Sequence, residues 1–177
     1  MAFVLGILLG WASYACSFVK DLLEPPMLLI RSVPVASFVI LALIWIGSDG
    51  LSVFISFLVV IPMIYTGTLT GLEHTDRELL EMSRVFSFSF FKRLRYIYIP
   101  AVHSYLLSSC RTALGMSWKS GVAAEVIGIP QASIGEQLYY SKLYLDTAGL
   151  FAWTFAIIVI SAVFERFFLS LLMRVRH

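Results

Sequence analysis

The chain has 177 residues, of which 59% are hydrophobic and 14% are charged, and its formal net charge is +2. Soluble domains are about 45–50% apolar, so this composition and a mean hydropathy of +0.88 exclude a soluble domain and predict an integral membrane protein. Cys16 and Cys110 lie in separate apolar runs without a CxxC spacing, which argues against a metal site or a disulfide framework.

The first apolar run, Phe3 to Val19, is close to the minimum of about 17 residues for a membrane span. No basic residue precedes the run, as a secretory signal would require, and Gly6 and Gly10 are spaced for close packing against another helix. We therefore expect a retained transmembrane helix that ends at Lys20-Asp21.

The next two segments are interrupted by prolines. Residues 22–34 contain three prolines and two charged side chains, and the charged Asp21 directly precedes them. The sequence therefore predicts a short connection there and no continuous transmembrane helix. Val35 to Gly47 is an apolar run too short to span alone, and we expect it to start with the turn that Pro34 opens. Leu51 to Leu69 is a full apolar span.

The stretch from Thr75 to Pro100 is the longest polar interruption of the chain. Thr75 and Glu78 have the spacing of a capping box, so we expect a helix to begin there. Apolar residues at spacings of three and four, before and after residues 87–89, predict two short amphipathic helices with a break between them. Pro100 is expected to close the segment, because proline cannot sit deep inside a helix without losing a hydrogen bond, although it is welcome in a first turn.

A largely apolar run after Pro100 continues to Gly128 and carries Arg111, Lys119 and Glu125. Each of these side chains would cost about 2.5–3.5 kcal/mol if it faced lipid, so they must face protein or water. At 100° per residue they fall within an arc of about 120°, which makes one wall of this helix polar. Alternatively, the two basic side chains reach the membrane surface and Glu125 pairs locally.

The rest of the chain contains an interfacial segment and a last span. Gly135 to Tyr144 carries three tyrosines and is expected at headgroup depth. Ala148 to Met173 is the last apolar span, and the chain ends basic. No internal repeat is visible, so we expect a single membrane domain over residues 1–177.

Basic residues are distributed unevenly, and this predicts the orientation. With five spans, Lys142 stands on one side of the membrane and nine basic residues stand on the other: Lys20, Arg31, Arg77, Arg84, Lys92, Arg93, Arg95, Arg174 and Arg176. The positive-inside rule then places the loop of residues 75–100 and the carboxy terminus in the cytoplasm, and the amino terminus outside. The predicted fold is an all-α, polytopic membrane helix bundle of about five transmembrane helices with a cytoplasmic loop.

The polar stretch resembles the EAA loop found in permease subunits of binding-protein-dependent ABC importers. The family spacing is Glu-Ala-Ala, three residues, Gly, nine residues, Ile, one residue, Leu-Pro, and it is reproduced by Glu81, Ser87, Ile97, Ile99 and Pro100. The identities differ where the family has two alanines, glycine and leucine, at Met82, Ser83, Ser87 and Ile99.

Further segments resemble the nitrate, sulfonate and taurine branch of these permeases. They are Arg31-Ser32-Val33-Pro34 with Ala36, Trp45 and Gly47, then Ala123-Ala124-Glu125 with Gly128, and Ser133-Ile134-Gly135. Ile40 stands where that branch usually has a second proline. Family members carry another helix before the region with which this chain starts, so both a natural short form and a truncated product stay open.

The resemblance implies that the loop of residues 75–100 is a coupling loop that docks on an ABC ATPase subunit. The residues expected at this contact are Glu78, Glu81, Phe86, Ser87, Phe88, Phe90 and Pro100. The alternative is an amphipathic loop on the membrane surface, since five of its residues are Arg or Lys and four are Phe.

The sequence therefore predicts a transport permease in the cytoplasmic (inner) membrane of a prokaryote, a multi-pass subunit. No Walker-type loop or catalytic motif is present, so we expect no enzyme, cofactor, metal or nucleic-acid partner. The expected partners are the ATPase, an extracytoplasmic solute-binding protein, the lipid bilayer and a second permease copy or related subunit, with Arg111, Lys119 and Glu125 lining the pathway. The alternative function is a non-transporting or degenerate membrane scaffold that binds a cytoplasmic partner through the same loop.

Overall fold

The computed structural model describes the backbone of residues 1–174 and the side chains of residues 1–172. Every regular element in that part of the chain is helical, so the expected all-α class is confirmed. The elements are α1 (Ala2–Ala15), α2 (Ser17–Ser32), α3 (Val35–Ile46), α4 (Leu51–Glu73), α5 (Arg77–Val85), α6 (Phe90–Arg93), a π-helical turn (Leu94–Tyr98), α7 (Ile99–Gly128), α8 (Ile134–Leu143) and α9 (Thr147–Arg174).

The core of the bundle is an antiparallel pair formed by α4 and α7. Glycines let the two helices approach closely: a Cβ added at Gly71 would lie 2.8 Å from the Val102 Cα, and one at Gly121 would lie 2.9 Å from the Ser56 Oγ. The Ser56 hydroxyl also donates a hydrogen bond of 3.1 Å to the Ser117 carbonyl. These contacts lie near both ends of α4, so the two helices stay together along their length.

Helix α1 packs parallel to the second half of α4. A Cβ added at Gly6 would lie 2.8 Å from the Ile64 Cβ, and one at Gly10 would lie 2.8 Å from the Thr68 Cβ. Side chains larger than hydrogen at these two positions would push the helices apart. The predicted packing role of the two glycines is confirmed.

The end of α1 differs from the prediction. The helix stops at Ala15, because Cys16 has an extended backbone with φ −141° and ψ 114°, and α2 starts at Ser17. The predicted end at Lys20-Asp21 is therefore wrong. The apolar run to Val19 is divided between two helices, a break that hydropathy does not show.

The short connection predicted over residues 22–34 is wrong, since α2 stays helical to Ser32 with Pro25 and Pro26 inside it. The predicted absence of a continuous transmembrane helix through residues 22–34 agrees with the bend of 102° between α2 and α3. Both prolines are exposed in the single chain, and each removes one backbone N–H donor from α2. Two contacts hold α2 against α4: Lys20 Nζ lies 2.7 Å from Glu73 Oε1, and Met27 is buried against α4.

Helix α3 begins directly after Pro34, as predicted. It is bent by 102° from α2 and packs against the first half of α4. The buried residues at this contact, to which α7 also contributes, are Val39, Ala42, Leu51, Ile55 and Ala124.

Length and composition identify fewer spans than the five predicted. Among the described residues, α4 and α9 are long and apolar enough to cross a membrane, and the bent pair α2–α3 would add a third span. Helix α1 has 14 residues, or about 21 Å, against a hydrocarbon core of about 30 Å. Helix α7 has 30 residues but is less apolar, since it carries Arg111, Lys119 and Glu125. The chain is a helical membrane bundle, and the number five remains a prediction.

The packing collects most of the basic segments at one end of the molecule. Leu172 of α9 lies beside the π-helical turn, so α9 returns towards the polar stretch of residues 75–100. Lys20 is at the same end, through its contact with the end of α4. Helix α8, which carries Lys142, packs at the opposite end of α7. Arg174 and Arg176, also used to predict the orientation, lie outside the described side chains.

Candidate functional site

The first candidate site is the polar segment of residues 75–100, in which α5 starts one residue later than predicted. Asp76 is the N-cap, and its Oδ1 accepts a hydrogen bond of 2.9 Å from the Glu78 backbone N–H. Thr75 is buried and donates its hydroxyl to the Gly71 carbonyl at 3.3 Å. The predicted capping box of Thr75 and Glu78 is therefore wrong, because Thr75 completes the end of α4 and leaves the cap to the next residue.

The C-terminal end of α5 explains why the family motif has a glycine at position 87. Ser87 has φ +51°, in the left-handed region. Its N–H donates to the Arg84 carbonyl at 3.0 Å, and the Phe88 N–H donates to the Ser83 carbonyl at 2.8 Å. These two bonds and the left-handed residue form a Schellman motif, which usually ends in glycine because other residues are strained there.

The two positions at which the family has alanine have different surroundings. Ser83 is 1% exposed and its hydroxyl donates to the Leu80 carbonyl at 2.7 Å, so a small side chain is required. Met82 is 41% exposed and has room for a larger side chain. The departure from the motif at Met82 is therefore compatible with the same local structure.

The expected contact residues of the segment are mostly on its surface. Glu78 and Glu81 are exposed, and neither carboxylate has an ion partner among the described residues. Phe86 and Phe90 are exposed as well, whereas Phe88 is half-buried and so differs from the other two phenylalanines. Sequence reasoning missed two exposed apolar neighbours, Val85 and Phe91, although both flank the predicted break.

The second half of the segment runs directly into α7. A π-helical turn, closed by a hydrogen bond from the Ile99 N–H to the Leu94 carbonyl, joins α6 to α7. Pro100 therefore lies in the first turn of α7, within a run that is helical from Phe90 onwards. A first-turn position is where proline is tolerated, because the N–H that it lacks would have no partner within the helix, but Pro100 does not interrupt the helical run. The predicted break at residues 87–89 is confirmed.

The second candidate site is the polar face of α7. Arg111 and Lys119 are exposed in the single chain, and no carboxylate of the described residues pairs with either. A Cβ added at Gly115, which lies between them on the same face, would meet no atom within 4 Å. Trp118 borders the face and packs edge-to-face on Phe164 of α9 at 5.9 Å. In the single chain, the polar face of α7 is therefore uncovered between the sides of α7 that contact α4 and α9.

Glu125 is placed differently from the two basic residues. It is partly buried, and its Oε2 accepts a hydrogen bond of 3.0 Å from the Gly135 N–H in the first turn of α8. A Cβ at Gly135 would overlap the Glu125 Cβ and the adjacent backbone. The carboxylate therefore anchors the start of α8 on α7, which is the local pairing that the sequence left open.

Helix α8 has a cap that sequence reasoning did not identify. The Ser133 hydroxyl accepts a hydrogen bond of 3.0 Å from the Glu136 N–H, and the Glu136 carboxylate accepts one of 2.7 Å from the Ala132 N–H. The signal was available as the Ser-x-x-Glu spacing at residues 133–136. Within the described residues, no group of three His, Cys, Asp or Glu side chains could hold a metal ion.

Comparison with known proteins extends over nearly the whole chain. Residues 2–177 match the model of the family described as "Binding-protein-dependent transport system inner membrane component". The chain is 24% identical over 164 residues to the "Putative aliphatic sulfonates transport permease protein" of Bacillus subtilis, covering 92% of this chain. It is 26% identical over 161 residues to the nitrate import permease protein of Synechocystis sp., covering 84% of this chain. It is 24% identical over 165 residues to the taurine transport system permease protein of Escherichia coli, covering 93% of this chain.

The matches cover only part of these relatives. The chain spans 59%, 58% and 60% of the length of the three relatives, in the same order. All three matches fall in the nitrate, sulfonate and taurine branch that segments 31–47 and 123–135 resemble.

Proposed function

Because the chain belongs to the family of binding-protein-dependent transport system inner membrane components, we propose that it is the permease subunit of an ABC importer. In this proposal the chain forms the translocation pathway for a small solute. A separate solute-binding protein delivers the solute, and ATP hydrolysis on a separate subunit drives the transport. The observation that carries the proposal is the exposed α5 with its Schellman end, whose residues occupy the positions of the EAA motif.

The proposed coupling site is the surface of residues 75–100. The segment exposes the carboxylates of Glu78 and Glu81 and the rings of Phe86 and Phe90, and exposed aromatic side chains commonly act as anchors at protein interfaces. Ser87 ends α5 in the left-handed region, Pro100 lies in the first turn of α7, and Phe88 between them is half-buried. An ABC ATPase with basic groups around an apolar groove fits this surface.

The proposed pathway runs along the open face of α7. Two cations, Arg111 and Lys119, have no anionic partner in the described chain, and a lipid-facing position would be costly for both. One copy of the bundle leaves this face uncovered, so a second copy or a related subunit is needed to enclose it. Glu125 completes the face through its half-buried carboxylate while it positions α8.

A non-transporting scaffold that binds an ATPase through the same loop is the alternative function. Both functions predict that the chain co-purifies with an ABC ATPase. Only the permease predicts ATP-dependent uptake by proteoliposomes that contain the chain, the ATPase and the binding protein. That measurement therefore separates the two functions.

The coupling site is tested by Glu81→Lys, which replaces an attractive charge by a repulsive one. We expect loss of ATPase co-purification and of uptake, because like charges at an interface suppress binding. The matched control is Glu24→Lys, an exposed acid of α2 outside the segment, which should leave both properties unchanged. Unchanged assembly and unchanged uptake in Glu81→Lys would remove the coupling proposal.

A further inference from the structure

An apolar cavity of about 440 Å³ lies between α1, α4, the π-helical turn, α7 and α9. Its apolar and aromatic lining includes Phe3, Ile7, Trp11, Leu94, Tyr98 and Leu172. Thr68 and His103 also line it, but the Thr68 hydroxyl donates to the Ile64 carbonyl at 2.9 Å and the His103 Nε2 is buried. Every lining residue except Thr68 is at least partly exposed, so the cavity opens onto the surface of the bundle.

The cavity is long enough to hold part of a hydrocarbon chain. Along α1 it is lined by Phe3, Ile7 and Trp11, which lie on one helix face and extend over about 12 Å of the helix axis. Near the Phe3 end, that ring packs edge-to-face on Phe168 of α9 at 6.2 Å. An empty apolar space would lose the dispersion contacts of its lining, so hydrocarbon is the material that fills it best in a membrane.

The other end of the cavity carries amphipathic rings. The ring of Trp11 lies 5.5 Å from that of Tyr98, and the ring of Tyr14 lies 6.0 Å from the same tyrosine. Tryptophan and tyrosine side chains favour the depth of the lipid headgroups, where one edge of the ring is apolar and the other is polar. This end, next to the π-helical turn, is therefore where a lipid headgroup would lie.

Three arginines belong to this end of the cavity. Leu94, which lines the cavity, stands between Arg93 and Arg95 in the chain, and Arg84 of α5 lies close enough to the Tyr14 hydroxyl for their charges to interact. None of the three has an ion partner among the described residues. The Arg93 Nε is also buried without a hydrogen-bond partner. A guanidinium carries five N–H donors and stays protonated, so these arginines favour an anionic group.

The acid on this side of the bundle does not neutralise the arginines. The Glu73 carboxylate also interacts with the Tyr14 hydroxyl, but its Oε1 lies 2.7 Å from Lys20 Nζ and is therefore already paired. An apolar space that ends at aromatic rings and unpaired arginines matches a molecule with a hydrocarbon chain and an anionic head.

We propose that this cavity is a binding site for one anionic phospholipid. An acyl chain fills the cavity between α1, α7 and α9, and the phosphate lies among Arg84, Arg93 and Arg95. Phosphate oxygens accept charge-assisted hydrogen bonds from guanidinium groups, and basic clusters beside membrane helices recognise anionic lipids in this way. A zwitterionic lipid has the same chains and phosphate, but its ammonium group is repelled by the arginines. The lipid site does not depend on the proposed transport function.

Binding is tested by native mass spectrometry of the full-length chain in detergent, without ATPase or binding protein. The probes are phosphatidylglycerol and phosphatidylcholine with identical acyl chains. We expect the first phosphatidylglycerol to bind at least about fivefold more tightly than phosphatidylcholine and than further phosphatidylglycerol molecules, because each nearby basic residue favours an anionic lipid by about that factor. Equal dissociation constants for the two lipids would overturn the proposal.

The place of the acyl chain is tested by Ile7→Trp, which fills the cavity from α1. This variant should raise the dissociation constant of the first phosphatidylglycerol about tenfold. The matched control is Leu8→Trp, because Leu8 is 62% exposed and does not line the cavity. Far-ultraviolet circular dichroism checks that both variants are folded. Equal affinity of the two variants would show that the chain does not enter the cavity, as would a dimer of the protein that forms instead of the lipid complex and is lost in Ile7→Trp.

The place of the headgroup is tested by the double variant Arg84→Gln with Arg95→Gln, which does not alter the cavity lining. This variant should bind both lipids with similar affinity, because the chain still enters the cavity and the charge preference is removed. The control is Arg31→Gln with Arg77→Gln, which removes the same net charge at exposed positions outside the lining. The control should retain the preference for phosphatidylglycerol. An unchanged preference in Arg84→Gln with Arg95→Gln would overturn the headgroup assignment.

Discussion

Replacing Gly67 with alanine should weaken the antiparallel pair of α4 and α7. The added Cβ would lie 2.6 Å from the Ser109 Cβ and would overlap the Ser109 hydroxyl. Non-bonded carbon atoms prefer about 3.5–4.0 Å, so α7 would have to move by roughly 1 Å. Overpacking of this kind costs about 1–3 kcal/mol, and the higher helix propensity of alanine returns at most about 1 kcal/mol. We expect the free energy of unfolding to fall by up to about 2 kcal/mol.

The matched control is Gly115→Ala, since a Cβ at Gly115 meets no atom within 4 Å. This variant should be as stable as the wild type or slightly more stable. The double variant Gly67→Ala with Ser109→Gly removes the opposing Cβ and should regain most of the loss. Equilibrium unfolding in mixed dodecyl maltoside and SDS micelles, followed by far-ultraviolet circular dichroism, measures all three. Equal stability of Gly67→Ala and Gly115→Ala would refute the close approach of the two helices.

Three further predictions concern the two candidate sites and the orientation. Ser87→Gly should stabilise α5 by up to about 1 kcal/mol, because glycine adopts the left-handed backbone at position 87 without strain. The backbone amides of α5 should exchange hydrogen more slowly in Ser87→Gly than in Ser87→Ala, and equal exchange rates would contradict the Schellman motif. Glu125→Gln keeps an acceptor for the Gly135 N–H and should assemble normally with reduced uptake, whereas Glu125→Ala should lower the free energy of unfolding by about 1–2 kcal/mol. Full uptake in Glu125→Gln would show that the carboxylate only anchors α8. A cysteine at the exposed Lys92, in a Cys16→Ser background, should resist an impermeant thiol reagent in intact cells, and ready labelling would reverse the predicted orientation.

The helices with a clear pattern could be predicted from the sequence. Gly6 and Gly10 at a spacing of four indicated close packing of α1. Apolar residues at spacings of three and four indicated α5 and the helix after it, with a break at residues 87–89. Pro34 marked the start of α3. Each of these signals depends on residues near one another in the chain, and the structure has each feature where the pattern placed it.

Several boundaries could not be predicted, because neighbouring residues compete for the same role. Thr75 and Asp76 are both residue types that favour the N-cap position. The Thr75 hydroxyl donates to the Gly71 carbonyl at the end of α4, so Asp76 caps α5 instead. Pro25 and Pro26 predicted a short connection, but the segment is helical to Ser32 and contacts α4. Hydropathy gave no sign of the break at Cys16. In each case the outcome depends on a neighbouring helix that the local sequence does not identify.

The sequence by itself determined the class of the protein, because the amount of apolar surface and the cost of burying charge in lipid depend on composition. It also determined that one face of α7 is polar, since helical geometry places residues 111, 119 and 125 within one arc. Only the tertiary structure decided how those charges are used. Glu125 accepts a hydrogen bond from the start of α8, whereas the side chains of Arg111 and Lys119 are exposed and have no ion partner among the described residues. Such placements depend on contacts between residues that are far apart in the chain, and spacing along one helix carries no information about them.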